Sequence, residues 1–205
     1  MAEKEQRPVL RLASASPRRR QLLELIGVPH VVTPADIDET PLPAEAATAY
    51  VTRLAGEKAA AVRRQYPDLP VLAADTTVHV GGAILEKPHS EADCVRMLSL
   101  LSGRKHQVYT GLCVISAAGP GVNCIETEVE FRRISREEMS AYWASGEPQG
   151  KAGAYAIQGF GAVFVEKITG SYTNVMGLPL FETAQVLRGH GIAVWNGALG
   201  LKGNE

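Results

Sequence analysis

The chain has almost no excess charge of either sign: 21 Lys and Arg stand against 22 Asp and Glu, a formal charge of -1 at pH 7. Lacking an overall positive field, it has no general attraction for nucleic acid or anionic lipid, and any anion site has to be local. Cysteine is scarce. Cys94, Cys113 and Cys124 form an odd set without CxxC or Cys/His spacing, which argues against a disulfide framework or a structural zinc site and leaves buried free thiols as the expectation. Long hydrophobic runs are missing too. The opening "MAEKEQRP" is charged and leads into only a short apolar stretch, so it is neither a secretory signal nor a membrane anchor. A cytoplasmic protein with a flexible leader over 1–8 is expected. Internal repeats, low-complexity segments, Walker A spacing and a dinucleotide fingerprint are all absent. Aromatics make up 6% of the chain and do not interleave with the arginines as a nucleic-acid surface requires.

What is present suits an ordinary globular protein: 205 residues, 45% hydrophobic and 21% charged, enough to bury a sizeable core as one two-lobed domain spanning 1–205. "PVLRLA" reads as a strand, Ser16 as an N-cap and Pro17 as the first residue of a helix over 17–26 that Gly27 closes. "PHVVTP" reads as a second strand. The alanine-rich stretch 43–66 has helical spacing, with Tyr50, Val51, Leu54 and Ala55 on one face. Gly81-Gly82 marks a hairpin turn after the buried run "VLAADTTVHV". A helix over 90–101 starts at Ser90, and two long β segments, 106–117 and 122–133, meet around Gly119-Pro120-Gly121. Ser135 and Glu138 form a capping box for the next helix. "GAVFVEKI" reads as a strand and a last helix starts near Pro179. The order mixes βα units with a β-rich middle, which predicts an α/β fold with a mixed sheet flanked by helices.

The oddest local feature is "LASASPRRR". Arginines in the first turn of a helix oppose the macrodipole, each at a cost of about 0.3–1 kcal/mol. Arg18 and Arg19 therefore call for a compensating partner. The free amides of the helix end and the hydroxyls of Ser14 and Ser16 donate toward the same point, the setting for a bound phosphate or carboxylate. The bland alternative is a solvated helix end with arginine folded back onto Glu24. Three further features accompany the cradle. Asp75 follows an apolar run and is expected at the exposed end of a buried strand, where ligands gather in α/β sheets. "ADIDET" offers Glu39 among carboxylates of the kind Mg²⁺ prefers. Lys58 and Lys87 stand in ordinary surroundings, where lysines mostly face solvent. Cations with carboxylates fit phosphoryl chemistry better than phosphate binding alone.

"LASASPRR", "EKA", "ADT", "LEKP" and "AGAYAIQGFGAVFVEKITGSYTNVMGLPL" in this order resemble the Maf family of nucleoside triphosphate pyrophosphatases, over about residues 9 to 188. The resemblance implies an inosine-triphosphate-pyrophosphatase-like fold, an elongated mixed sheet with a central cleft between two lobes. It also implies hydrolysis of a nucleoside triphosphate to the monophosphate and pyrophosphate with Mg²⁺ or Mn²⁺, in a homodimer. On the matching positions, Asp75 is the proton acceptor or a metal ligand, Glu39 the other metal carboxylate, Arg18 and Arg19 the triphosphate contacts, and Lys58 and Lys87 further charged cleft residues. Thr76 and Gln158 resemble the branch acting on dTTP and UTP. Gln158 makes chemical sense there, since its amide both donates to and accepts from the O4/N3-H edge of thymine or uracil. Ser171 and Asn174 either line a base pocket or hold a turn, and Arg20 is expected to face solvent. The family's older name, septum formation inhibitor, leaves a second reading open: a nucleotide-binding regulator of cell division without significant turnover.

Overall fold

The computed structural model describes residues 7–195 of the chain; most of the expected leader, 1–6, lies outside them. Its centre is a seven-stranded mixed sheet in the order β2-β1-β3-β5-β6-β7, with β4 also paired to β3. The strands are β1 Leu10–Leu12, β2 His30–Val32, β3 Val71–Val80, β4 Ala83–Leu85, β5 Lys105–Ser116, β6 Gly119–Phe131 and β7 Val165–Thr169. Here β1 runs parallel to both β2 and β3, and the remaining pairs are antiparallel. The helices are α1 Pro17–Leu25, α2 Ala47–Gln65, α3 Glu91–Leu101, α4 Arg136–Ala144, the single turn α5 Tyr172–Val175 and α6 Leu180–Gly189. This is the α/β architecture that the alternation of patterns predicts.

Successive side chains of a strand point to opposite faces, and β3 uses both. Val71 and Ala73 pack against Ala55, Ala59 and Val62 of α2. Leu72 and Ala74 join Leu10, Leu12, Leu23 and Leu187 beneath α1 and α6. Toward the other end of the sheet, Val78, Phe131, Leu98, Met139 and Tyr142 build a separate core with α3 and α4. No helix among the described residues is long and apolar enough to cross a membrane.

Several local expectations hold. Ser16, Ser90 and Ser135 each accept a backbone N–H at their helix starts, and the capping box with Glu138 is closed in both directions. Others are corrected. The β5–β6 ladder continues to the Ser116–Gly119 pair, so the turn is Ala117-Ala118 and Gly119-Pro120-Gly121 already belongs to β6. Helix α2 begins at Ala47 rather than residue 43. Only the second half of "GAVFVEKI" is strand: Phe160–Phe164 is a 3₁₀ segment, because the amides of Phe160 and Gly161 donate to the Glu147 carboxylate rather than to a neighbouring strand. Cys94 and Cys113 are buried free thiols, as expected, whereas Cys124 is exposed: it lies on β6 in a run of exposed residues from Val122 to Cys124.

Candidate active site

On one edge β3 is flanked by β1 at Val71–Leu72 and by β4 at Val78–Val80. Between them, Ala73–Thr77 has no strand on that edge among the described residues. The gap opens where parallel strands β1 and β2 end and their connecting loops begin, the place where α/β sheets bind ligands. Asp75 is therefore not at a strand end. It sits mid-strand, 7% exposed, and reaches the ligand side through the missing stretch of the sheet.

A cavity of ≈ 920 Å³ occupies this gap, and ten of the candidate side chains from the sequence line it: Ser14, Ser16, Arg18, Arg19, Glu39, Lys58, Asp75, Thr76, Lys87 and Gln158. Its cations, which also include Lys151, outnumber the carboxylates Glu39, Asp75 and Glu86, so a chain without net positive charge carries a local positive field. A smaller depression of ≈ 580 Å³ between α3 and α4 has arginines but no carboxylate in its lining among the described residues, and so lacks a group to accept a proton.

Lys58 is the hub. Its place on the buried stripe of α2 aims Nζ at Asp75 Oδ1, 2.6 Å away, and at Glu39 Oε1, 2.7 Å away. The expectation of a solvent-facing lysine fails here because the helix period puts residue 58 in line with Val51, Leu54 and Val62. Lys87 behaves differently: it is largely exposed and lies 3.6 Å from Glu39 Oε2. At Glu39 burial works against the charge, but the bonds and fields of Lys58 and then Lys87 outweigh it and hold the carboxyl below its ordinary range. The loop carrying Glu39 is fastened by Tyr50 of α2, whose hydroxyl donates to the Glu39 carbonyl at 2.9 Å.

The arginines divide their work. Arg19 points inward, donating to Gly177 O at 2.7 Å, Thr76 Oγ1 at 3.0 Å and Ser14 Oγ at 3.2 Å. Thr76 also bonds Thr110 Oγ1 at 2.9 Å, so its hydroxyl braces Arg19 as well as lining the cavity. Arg18 is half-buried and lines the cavity. Burial lowers the pKa of both, opposed by Asp75 at Arg19 and by Glu147 at Arg18. Both remain cationic, and an incoming anion would replace the hydration they have lost. Arg20 is exposed beside Glu24, 3.4 Å away. The fold-back expected as the bland alternative thus occurs, but at Arg20 and not at Arg18 or Arg19.

Asn174 does not line the cavity. It is fully buried, with Nδ2 donating to Val108 O, Ile125 O and Thr127 Oγ1, and Ser171 caps α5; both hold the turn. Lys151 and Glu86 line the cavity without having been singled out in the sequence. The composition of "GEPQGKAGAY" gives no reason to prefer that lysine to any other.

A family model described as Maf-like protein matches residues 9–190. The chain belongs to the Maf family. Among the relatives of this Maf chain, the "dTTP/UTP pyrophosphatase" of Sphingopyxis alaskensis is 54% identical over 187 residues, covering 90% of this chain and 98% of its own length. That of Methylobacillus flagellatus is 51% identical over 185 residues, covering 89% and 93%. The likeness to a solved HAM1 protein from Coxiella burnetii is distant, with a TM-score of 0.44 at 19% identity over 61% of this chain and 73% of that one.

A divalent ion fits the donor set. Glu39 and Asp75 are the two carboxylates at the hub. That matches Mg²⁺, which takes one or two carboxylates and completes its shell with water and substrate phosphates. It does not match a closed structural zinc site.

Proposed function

We propose that this Maf chain hydrolyses dTTP and UTP to the nucleoside monophosphate and pyrophosphate. The observation that carries the reading is the Asp75–Lys58–Glu39 cluster opposite Arg18 and Arg19 in one cavity, a set with both the cations that hold phosphates and a carboxylate able to take a proton. A module that merely binds nucleotide would need the cations and not the buried carboxylate. The names of relatives about half identical to the chain support the pyrimidine branch.

In this mechanism Arg18, Arg19 and the amides at the start of α1 bind the triphosphate. Asp75 orients a water and accepts its proton as that water attacks the α-phosphorus in line with the departing pyrophosphate. Lys58 holds the Asp75 carboxylate in place and, with Lys87, meets the charge that gathers on the leaving pyrophosphate. Gln158, exposed on the cavity wall, reads the O4/N3-H edge of the base. Glu39 and Asp75 would hold Mg²⁺ or Mn²⁺, which when bound neutralises phosphate charge and polarises the P–O bonds. A homodimer in the cytoplasm belongs to the same proposal.

The test is pyrophosphate release from dTTP, UTP, CTP, ATP and GTP with Mg²⁺ or Mn²⁺. Selective turnover of dTTP and UTP is the expected result. Binding without turnover of any nucleotide by the folded protein would favour the regulator of cell division instead.

A further inference from the structure

Resting on that reading, we propose that Glu147 and Tyr142, neither of which lines the cavity, are positioning residues for pyrimidine recognition: together they clamp both ends of the segment 156–161 that carries Gln158. The Tyr142 hydroxyl donates to Glu147 Oε1 at 2.7 Å and accepts the amide of Ala156 at 3.1 Å, two residues before Gln158. The Glu147 carboxylate accepts the amides of Phe160 at 2.9 Å and Gly161 at 3.0 Å, two and three residues after it. One Tyr–Glu pair at the end of α4 therefore ties down the backbone on either side of the base-reading amide.

The glycines of the segment are shaped to this clamp. A Cβ on Gly159 would collide with the Glu147 carboxylate, and one on Gly161 would lie 2.7 Å from the Tyr142 hydroxyl. The clamp itself is anchored in the α3–α4 core, where Tyr142 is 5% exposed and meets Phe164 edge-to-face at 5.0 Å. Three charge-assisted bonds converge on one half-buried carboxylate, and such bonds are about twice as strong as neutral ones.

Why recognition should need this follows from the amide. A glutamine side chain presents donor-then-acceptor or acceptor-then-donor simply by rotating, so an unconstrained one serves uracil and cytosine alike. Discrimination requires one of those rotations to be favoured, and what favours it is a fixed set of polar backbone groups beside the amide, which the clamp on 156–161 holds in place. Glu147 also supplies the favourable charge at Arg18, so the same residue supports the phosphate side of the cavity.

The experiment compares wild type, Glu147→Ala, Tyr142→Phe, Gln158→Ala and the Glu147→Ala/Gln158→Ala double variant, with UTP and CTP as substrates and amide hydrogen exchange on the nucleotide-free proteins. Expected are a KM for UTP raised about tenfold in Glu147→Ala with a smaller fall in kcat, and a UTP-over-CTP preference reduced by a similar factor. Tyr142→Phe, which removes only a hydroxyl, should shift both in the same direction, so the inference stays testable if Glu147→Ala does not fold. The double variant should show the UTP-over-CTP preference of Gln158→Ala, because Glu147 sets that preference through Gln158. Amides of 156–161 should exchange faster in Glu147→Ala and Tyr142→Phe while those of β5 do not. An unchanged preference, losses of preference that multiply in the double variant, or unchanged exchange in 156–161 would overturn the proposal. If wild type releases pyrophosphate from no nucleotide, the functional reading falls, and the exchange data still decide whether the clamp exists.

Discussion

Asp75 and Lys58 depend on each other at bonding distance inside the fold, and they are expected to fail differently. Asp75→Asn keeps an oxygen for Lys58 but loses the proton acceptor, so pyrophosphate release should fall about 10²–10⁴-fold, with a smaller loss of thermal stability than Lys58→Met because Glu39 still pairs with Lys58. Lys58→Met leaves Asp75 and Glu39 without the cation between them. Breaking a buried ion pair on one side costs about 3–5 kcal/mol, less here because Glu39 is part-exposed, and urea unfolding should show it as a lowered midpoint alongside lost activity. His106 adds a pH dependence of its own. It is fully buried on β5, bonded to the Tyr155 hydroxyl at 2.9 Å with Nδ1 unpartnered among the described residues, and burial lowers its pKa from 6.5 to about 4. The unfolded chain then binds the proton more readily than the folded one between those values, so stability should rise as pH rises through that window, by about 3 kcal/mol at most. His106→Gln, which does not titrate, should flatten that slope in urea unfolding from pH 4 to 6.5.

Among the elements, α2 and β5 set how the site closes. Gly111 of β5 faces α2, and a Cβ there would run into the Val51 carbonyl and the Thr52 amide. Since that contact is backbone on both sides, no rotamer relieves it. Gly111→Ala should therefore push α2 away from the sheet at a cost of about 1–3 kcal/mol, and, because Lys58 rides on α2, activity should drop even where the variant remains folded; a melting curve read beside kcat checks both. Serine-capped helix starts were the most legible elements, since a serine capping the first turn is a matter of neighbouring residues, whereas the uncapped start of α2 was not. The 3₁₀ segment Phe160–Phe164 was not: its strand-like composition loses to two amide bonds reaching a carboxylate on another element.

At the scale of the molecule, the cavity is charged against the trend of the chain, and it is ringed by charged groups from α1, α2, β3 and three loops that meet only when folded. Nucleotide should therefore bind the native state and not the unfolded one. With Asp75→Asn to prevent turnover, UTP at about a hundred times its Kd should add about 2.7 kcal/mol of stability, about 5–10 °C in Tm for a chain of this size. GTP should add less, and a shift equal for both would leave Gln158 without a role in selection.

Local rules were enough for the serine-capped helix starts, the Gly81-Gly82 turn and the buried run of β3, because each depends on neighbours a few positions away; most of the residues around the cavity were legible through their resemblance to the Maf motifs. Folding alone decided which of those residues meet. Arg19 reaches Thr76 and Gly177, 57 and 158 positions along the chain, and Lys58 bonds Asp75 across 17. The gap in the sheet that opens Asp75 to the cavity comes from where β1 stops and β4 begins, a matter of strand pairing that no single segment encodes. Lys58 stands in ordinary surroundings and nothing beside Glu147 in the sequence singles it out, since burial and hydrogen bonding to a distant backbone leave no mark on a residue's immediate neighbours.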